Sequence, residues 1–179
     1  MKRRNALILF AVIVLVVLLL DRITKIIAVD QLTDSGPVAF LPLFLDFALV
    51  YNTGGAFGLF EGGATLFVIV AVVALIVIIV YIIKARQLHL PIIIALSLIA
   101  GGALGNAYDR AVDGAVPDFI HTLFIDFPVF NVADIALTVG EICLLIVVAY
   151  YWFGQGKYRA VDKDAANEEE ENEELGTEN

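Results

Sequence analysis

Asp118 and Asp134 are the residues whose type and setting could do chemistry in this chain. Both stand at the edges of long lipid-compatible stretches that hold almost no other charge, where a carboxylate is expensive to keep. Two Asp side chains brought within a few ångströms share a proton, because both cannot ionise cheaply. The ionised member can take a proton from water as that water attacks a carbonyl. The protonated member can hydrogen-bond the carbonyl oxygen while a tetrahedral intermediate forms, and a low dielectric strengthens both interactions.

The ends of the apolar stretches and their connections add Asp21, Lys25, Asn52, Asn106, Arg110 and Asn131 at one level of the bilayer. No metal site is expected. Cys143, the only cysteine, lies deep in an apolar segment, and His89 and His121 are too few and too scattered. Plainer readings stand beside the chemical one. Asn131 followed three residues later by Asp134 fits a helix N-cap with an acid in the first turn, and Asp118 after Pro117 fits a loop. Asp21 and Lys25, spaced i,i+4, form a pair that lowers the cost of two polar groups near the interface. Gly101, Gly102 and Gly105 fit close helix packing, which leaves Asn106 unexplained because a buried amide needs partners. Glu141 lies seven residues past Asp134 on roughly the same helical face and deeper still.

The elements that position these groups follow from composition. A chain of 179 residues that is 60% hydrophobic, with mean hydropathy +0.90, is an integral membrane protein. Four segments, about 6–29, 64–83, 90–108 and 131–153, are long enough to cross a bilayer. The net charge of −9 comes mostly from residues 162–179, which have no apolar periodicity and read as a disordered acidic cytoplasmic tail. The domain proper is then 1–161. The opening Met1-Lys2-Arg3-Arg4-Asn5 and its apolar run read as a permanent first helix, since no small-residue cleavage site follows.

Lys2, Arg3, Arg4, Lys84, Arg86, Lys157, Arg159 and Lys163 all fall on one side of this arrangement. The positive-inside rule makes that side, and both termini, cytoplasmic. Segments 30–63 and 109–130 then face outward. Phe44 to Tyr51 is rich in aromatic and β-branched residues and is followed by Gly54, Gly55 and Gly58, which suggests a strand or two with a tight turn on the membrane surface. The second outer segment mixes acids with Phe119, Phe124 and Phe127, as suits a piece dipping into the interface beside a polar cavity. The expected fold is mainly α, with four transmembrane helices and a small extracytoplasmic β-containing cradle.

Two functions of other classes compete. A small transporter or ion pathway would carry polar groups through the whole membrane depth, whereas only Glu141 and a few hydroxyls lie deeper here. A noncatalytic scaffold would tolerate Asn at both 118 and 134.

Five motifs, in order, carry a resemblance: Asp21-Arg22-Ile23-Thr24-Lys25; Asn52-Thr53-Gly54-Gly55-Ala56-Phe57-Gly58; Gly101-Gly102-Ala103-Leu104-Gly105-Asn106-Ala107-Tyr108-Asp109-Arg110; Asp118-Phe119-Ile120; and Phe130-Asn131-Val132-Ala133-Asp134. From about Lys2 to Phe153 the chain resembles the lipoprotein signal peptidases (signal peptidase II), bacterial aspartic proteases of the cytoplasmic membrane. The resemblance implies a catalytic dyad of Asp118 and Asp134, with Asn52, Gly54, Asn106, Arg110 and Asn131 holding substrate or organising the dyad. Asp21 and Lys25 would support the first helix. The implied substrate is a diacylglyceryl-modified prolipoprotein cut on the amino side of the lipidated cysteine. A monomer in contact with membrane lipid, with no cofactor and no nucleic acid, is expected. Pro117 departs from the family, which commonly has a β-branched residue there, and proline offers no backbone N–H.

Overall fold

The computed structural model describes residues 1–55 and 60–153. Expectations placed on Ala56, Phe57 and Gly58, on Lys157, Arg159 and Lys163, and on the acidic tail fall outside the described residues.

Four helices are long and apolar enough to span a membrane: α1 (Arg3–Leu32), α2 (Ala64–Lys84), α3 (Leu90–Val112) and α4 (Val132–Phe153). Between α1 and α2 lie strands β1 (Val38–Leu41) and β2 (Leu45–Asn52), and between α3 and α4 lies β3 (Val116–Thr122). By internal contacts the chain divides into residues 1–143 and 144–179, and α4 begins in the first unit. In the second, Tyr150 and Tyr151 meet edge-on at 5.6 Å.

In α1, Ala6, Phe10, Val17, Asp21, Lys25, Ala28 and Leu32 are buried, at intervals of three, four and seven residues that place them on one stripe. Leu15, Leu19, Ile23 and Ile26 between them are exposed, as a lipid-facing surface requires. Asp21 and Lys25 belong to the buried stripe, which ends at Leu32, so the helix continues past the apolar run 6–29. The third span likewise runs on to Val112, so Asp109 and Arg110, which hydropathy assigned to an outer segment, are helical and project from α3. α2 is apolar on every side and buries only Ala71, Ile78 and Ile82. α3 is the central helix, with Ser97, Ala100, Gly101, Gly102, Gly105 and Asn106 among its buried residues.

The glycines of α3 set how near its neighbours come. A Cβ on Gly102 would overlap the Ala133 carbonyl oxygen and lie 3.0 Å from the Leu137 nitrogen of α4. Backbone on the facing helix cannot yield as a side chain would. Gly102→Ala is therefore expected to cost about 1–3 kcal/mol through overpacking, offset by about 1 kcal/mol of helix propensity. The check is the thermal unfolding midpoint in detergent together with turnover: both should fall. An unchanged midpoint would show that α4 can retreat freely.

The sheet is antiparallel in the order β1-β2-β3. Pro42 and Leu43 connect the first two strands in a turn closed by the Phe44 nitrogen donating to the Leu41 carbonyl at 3.0 Å. Leu43 takes φ 70°, the left-handed conformation that a type II turn with proline at its second position demands. β3 was not foreseen as a strand. It pairs Asp118 with Val50, Pro117 with Tyr51 and Val116 with Asn52. As β3 lies at the sheet's edge, Pro117 is tolerated there despite its missing N–H. Ala28 and Leu32 of α1 pack with Phe119 of β3 and with Phe47 and Leu49 of β2, which fastens the sheet to the end of α1.

Candidate active site

The start of α4 is built by a reciprocal cap. The Asp134 nitrogen donates to Asn131 Oδ1 at 3.0 Å, and the Asn131 nitrogen donates to Asp134 Oδ2 at 3.0 Å. This is capping-box geometry with an Asn and an Asp in the two roles. It uses only one carboxyl oxygen of Asp134. The other, Oδ1, accepts from Asn106 Nδ2 of α3 at 2.7 Å. The capping role and a chemical role for Asp134 are therefore compatible.

Asp118 comes from the sheet and is 2% exposed. Its Oδ1 accepts from Asn131 Nδ2 at 2.6 Å, and its Oδ2 accepts from Asn52 Nδ2 at 3.0 Å, at the end of β2. Asn131 is fully buried and thus links the two acids: its side-chain amide holds Asp118 while its backbone and carbonyl oxygen cap Asp134. Both carboxyls line one cavity of about 700 Å³, with Asn52, Asn106 and Arg110 around them.

Burial first, and then the charge of Asp134, push the Asp118 carboxyl up from 3.8 to about 6, against the opposing pull of the Asn52 and Asn131 N–H groups and of Lys25. Because the folded value exceeds the unfolded one, the proton is held more tightly in the fold. The cost to folding is absent below pH 3.8 and grows as pH rises through about 6.

A buried charge cluster sits behind the two acids. Lys25 Nζ donates to Asp21 Oδ2 at 2.8 Å, to Asp109 Oδ2 at 2.6 Å and to Asn106 Oδ1 at 3.0 Å, using all three of its protons. Asp109 also accepts from Arg22 Nη1 at 3.3 Å. Asn106 Oδ1 takes a second bond, from Asn131 Nδ2 at 3.1 Å, so its NH2 group is left to face Asp134. Asp21 Oδ1 in turn accepts from the Ala133 nitrogen at 3.0 Å, one residue before Asp134. Asp21 and Lys25 hence do more than support the first helix, since they fix the amide and backbone that hold the second acid.

Arg110 donates through Nη2 to the Gly54 carbonyl and through Nη1 to the Asn106 carbonyl at 3.3 Å, and its guanidinium lies 4.6 Å over the Phe67 ring. Among the described residues its buried Nε has no hydrogen-bond partner and remains a spare donor on a cavity-lining residue. The Gly54 nitrogen donates to Asn52 Oδ1 at 2.9 Å. Through its N–H and its carbonyl, Gly54 positions Asn52 and Arg110. Sequence reasoning missed Asp109 and Phe67. The excess of positive charge in Asp21-Arg22-Lys25 was the signal that a further buried acid had to exist. Nothing local pointed to Phe67. His121, set aside as a ligand, pairs across the sheet with Asp46 at 2.9 Å.

Among the described residues, four spanning helices, a three-stranded sheet and two acids on one cavity, Asp118 buried and Asp134 half-buried, define a polytopic membrane protein with a built polar site. Residues 13–150 match the family described as Signal peptidase (SPase) II. The lipoprotein signal peptidase of Staphylococcus haemolyticus (strain JCSC1435) is 35% identical over 150 residues, covering 83% of this chain and 95% of that one. That of Staphylococcus aureus (strain MRSA252) is 37% identical over 134 residues, covering 74% and 82%. A solved structure of a bacterial membrane enzyme, obtained by the in meso method at 2.3 Å, superimposes with a TM-score of 0.74 at 36% identity, covering 78% of this chain and 87% of that one. The chain belongs to the signal peptidase II family and is a protease of a bacterial membrane.

Proposed function

We propose that this protein is a membrane aspartic endopeptidase that removes signal peptides from diacylglyceryl-modified prolipoproteins, cutting on the amino side of the lipidated cysteine. Asp118 and Asp134 share one proton about an attacking water. The observation that carries this reading is the link through Asn131, which holds one carboxyl of each kind of element, sheet and helix, on a single cavity. Only one oxygen pair need be ionised for the water to be activated, and the other acid is then free to hydrogen-bond the oxyanion. Asn52, Asn106 and Arg110 supply donors around them, with the spare Arg110 Nε suited to a substrate carbonyl.

The domain spans residues 1–161, with the tail 162–179 a cytoplasmic extension. Both termini are proposed to be cytoplasmic and the site to lie near the extracytoplasmic face. The Met1 ammonium donates to the Leu88 carbonyl at 2.9 Å, which places the N-terminus beside the α2–α3 connection that carries Lys84 and Arg86. Basic residues at that end support a cytoplasmic assignment, and the two acids stand at the other end of the helices. Such a site meets the lipidated cysteine near the headgroups while its acyl chains remain in the bilayer.

The test compares two precursors of identical sequence in detergent, one carrying diacylglycerol on its cysteine and one unmodified. The modified precursor is expected to be cut at least about 100-fold faster, because lipid binding remote from the scissile bond contributes to orienting it. Equal rates would defeat the lipid requirement.

The pH dependence follows from Asp118. With its carboxyl near 6 in the free enzyme, kcat/KM should fall as pH rises through about 6, when the shared proton is lost. Asn52→Leu removes a donor to the ionised form and should move that fall to a pH about one unit higher. A fall that stays in place, or moves to lower pH, would show that Asn52 does not tune the acid.

A further inference from the structure

Glu141 is the one charged residue of α4 beyond Asp134 among those described. It stands seven residues further on, so at 3.6 residues per turn it returns to nearly the same face about 10.5 Å along the helix. There it lines the far part of the same cavity of about 700 Å³ that holds Asp118 and Asp134. Ala71 and Ala74 of α2, Ile99 of α3 and Thr138 of α4 line the same cavity. Between Ala64 and Ile83, and between Leu90 and Tyr108, the two facing helices contain no acid and no base. Among the described residues Glu141 makes no ion pair and no hydrogen bond.

A carboxyl at mid-span with no partner is costly and calls for one from outside the chain. From the middle of a 22-residue helix it is too short to reach either interface. The cavity supplies the candidate. A substrate whose scissile bond lies at Asp118 and Asp134, and whose apolar signal segment stays in lipid, runs from the acids along the groove between α2 and α4. At about 3.3 Å per extended residue, the chain meets Glu141 three to four residues before the cut.

We propose that Glu141 is a specificity residue for the signal peptide. Its carboxyl oxygens accept a hydrogen bond from a serine or threonine hydroxyl carried three to four residues before the cleaved bond. The inference rests on the peptidase reading above. One hydrogen bond to an otherwise unsatisfied carboxyl corresponds to about a tenfold preference.

The experiment scans a single serine through the second to fifth residues before the cut of an otherwise all-leucine, diacylglyceryl-modified signal segment. In the unaltered enzyme kcat/KM should peak about tenfold at the third or fourth residue. Glu141→Leu should flatten the scan, and Glu141→Gln, whose amide oxygen still accepts, should keep the peak. Each profile is read within one enzyme sample, so a partly inactive preparation cannot imitate the result. The same profile in the unaltered enzyme and in Glu141→Leu overturns the proposal. So does a folded, monodisperse Glu141→Leu protein that cuts none of the precursors, since specificity alone does not demand that loss. Cleavage of the all-leucine precursor by the unaltered enzyme, and its loss in Asp134→Asn, tests the peptidase reading separately. An enzyme that cuts no modified precursor at all overturns both.

Discussion

Asp118→Asn and Asp134→Asn are each expected to lower turnover of a diacylglyceryl-modified precursor by about 10³-fold or more, with little further loss in the double variant. General acid–base transfer contributes about 10²–10⁴-fold, and two groups that share one proton act as a unit whose losses do not add. Asn at 118 can still accept from one of its two donors, Asn131 Nδ2 or Asn52 Nδ2, but its own NH2 then faces the other. One hydrogen bond is lost, about 1 kcal/mol. Removing the charge of a carboxyl held near 6 offsets this above that pH. The folded state should therefore survive, and thermal unfolding at pH 8 should lie close to that of the unaltered protein. Near-normal turnover by either variant would remove the dyad mechanism and favour a noncatalytic scaffold.

Lys25→Met is expected to lower both stability and turnover. Lys25 is 1% exposed and is the cation that Asp21, at 3%, and Asp109, at 1%, share. Its loss leaves two buried carboxylates, with the half-exposed Arg22 on Asp109 as the ion pair that remains among the described residues. Breaking a buried pair in this way costs about 3–5 kcal/mol, or about 10 °C in the unfolding midpoint for a chain of this size. The loss of turnover has a separate cause. Without Lys25, Asn106 Oδ1 keeps one bond instead of two, and the amide is free to turn its oxygen toward Asp134. Adding Asp21→Asn and Asp109→Asn should recover much of the stability, because the uncompensated charges are gone, and little of the turnover. A Lys25→Met protein with an unchanged midpoint would sink the account of the cluster, and a triple variant with full activity would sink the role given to Asn106.

Much of the architecture is legible in hydropathy. Runs of about 20 apolar residues mark α1 to α4 because a bilayer leaves a spanning chain no other way to satisfy its backbone. Phe44 to Tyr51 signals β2 by its aromatic and β-branched content. The Asn131 and Asp134 spacing signals the α4 cap, because a cap is local and needs only three residues. β3 gave no such signal. Val116-Pro117-Asp118 breaks a strand pattern, and the ladder that stabilises it comes from Asn52 and Val50, more than sixty residues earlier.

By itself, then, the order of residues determined a four-span membrane protein, the cap at the start of α4 and the residue types able to share a proton at one level. Tertiary structure alone decided the rest. It set Asp109 against Lys25 across 84 positions, brought Asp118 to Asn131 on an edge strand, and chose which way the Asn106 amide points. The physical reason is range. Hydropathy and capping act over one or two helical turns, whereas pairing a buried charge or orienting an amide depends on groups that only packing places within 3 Å.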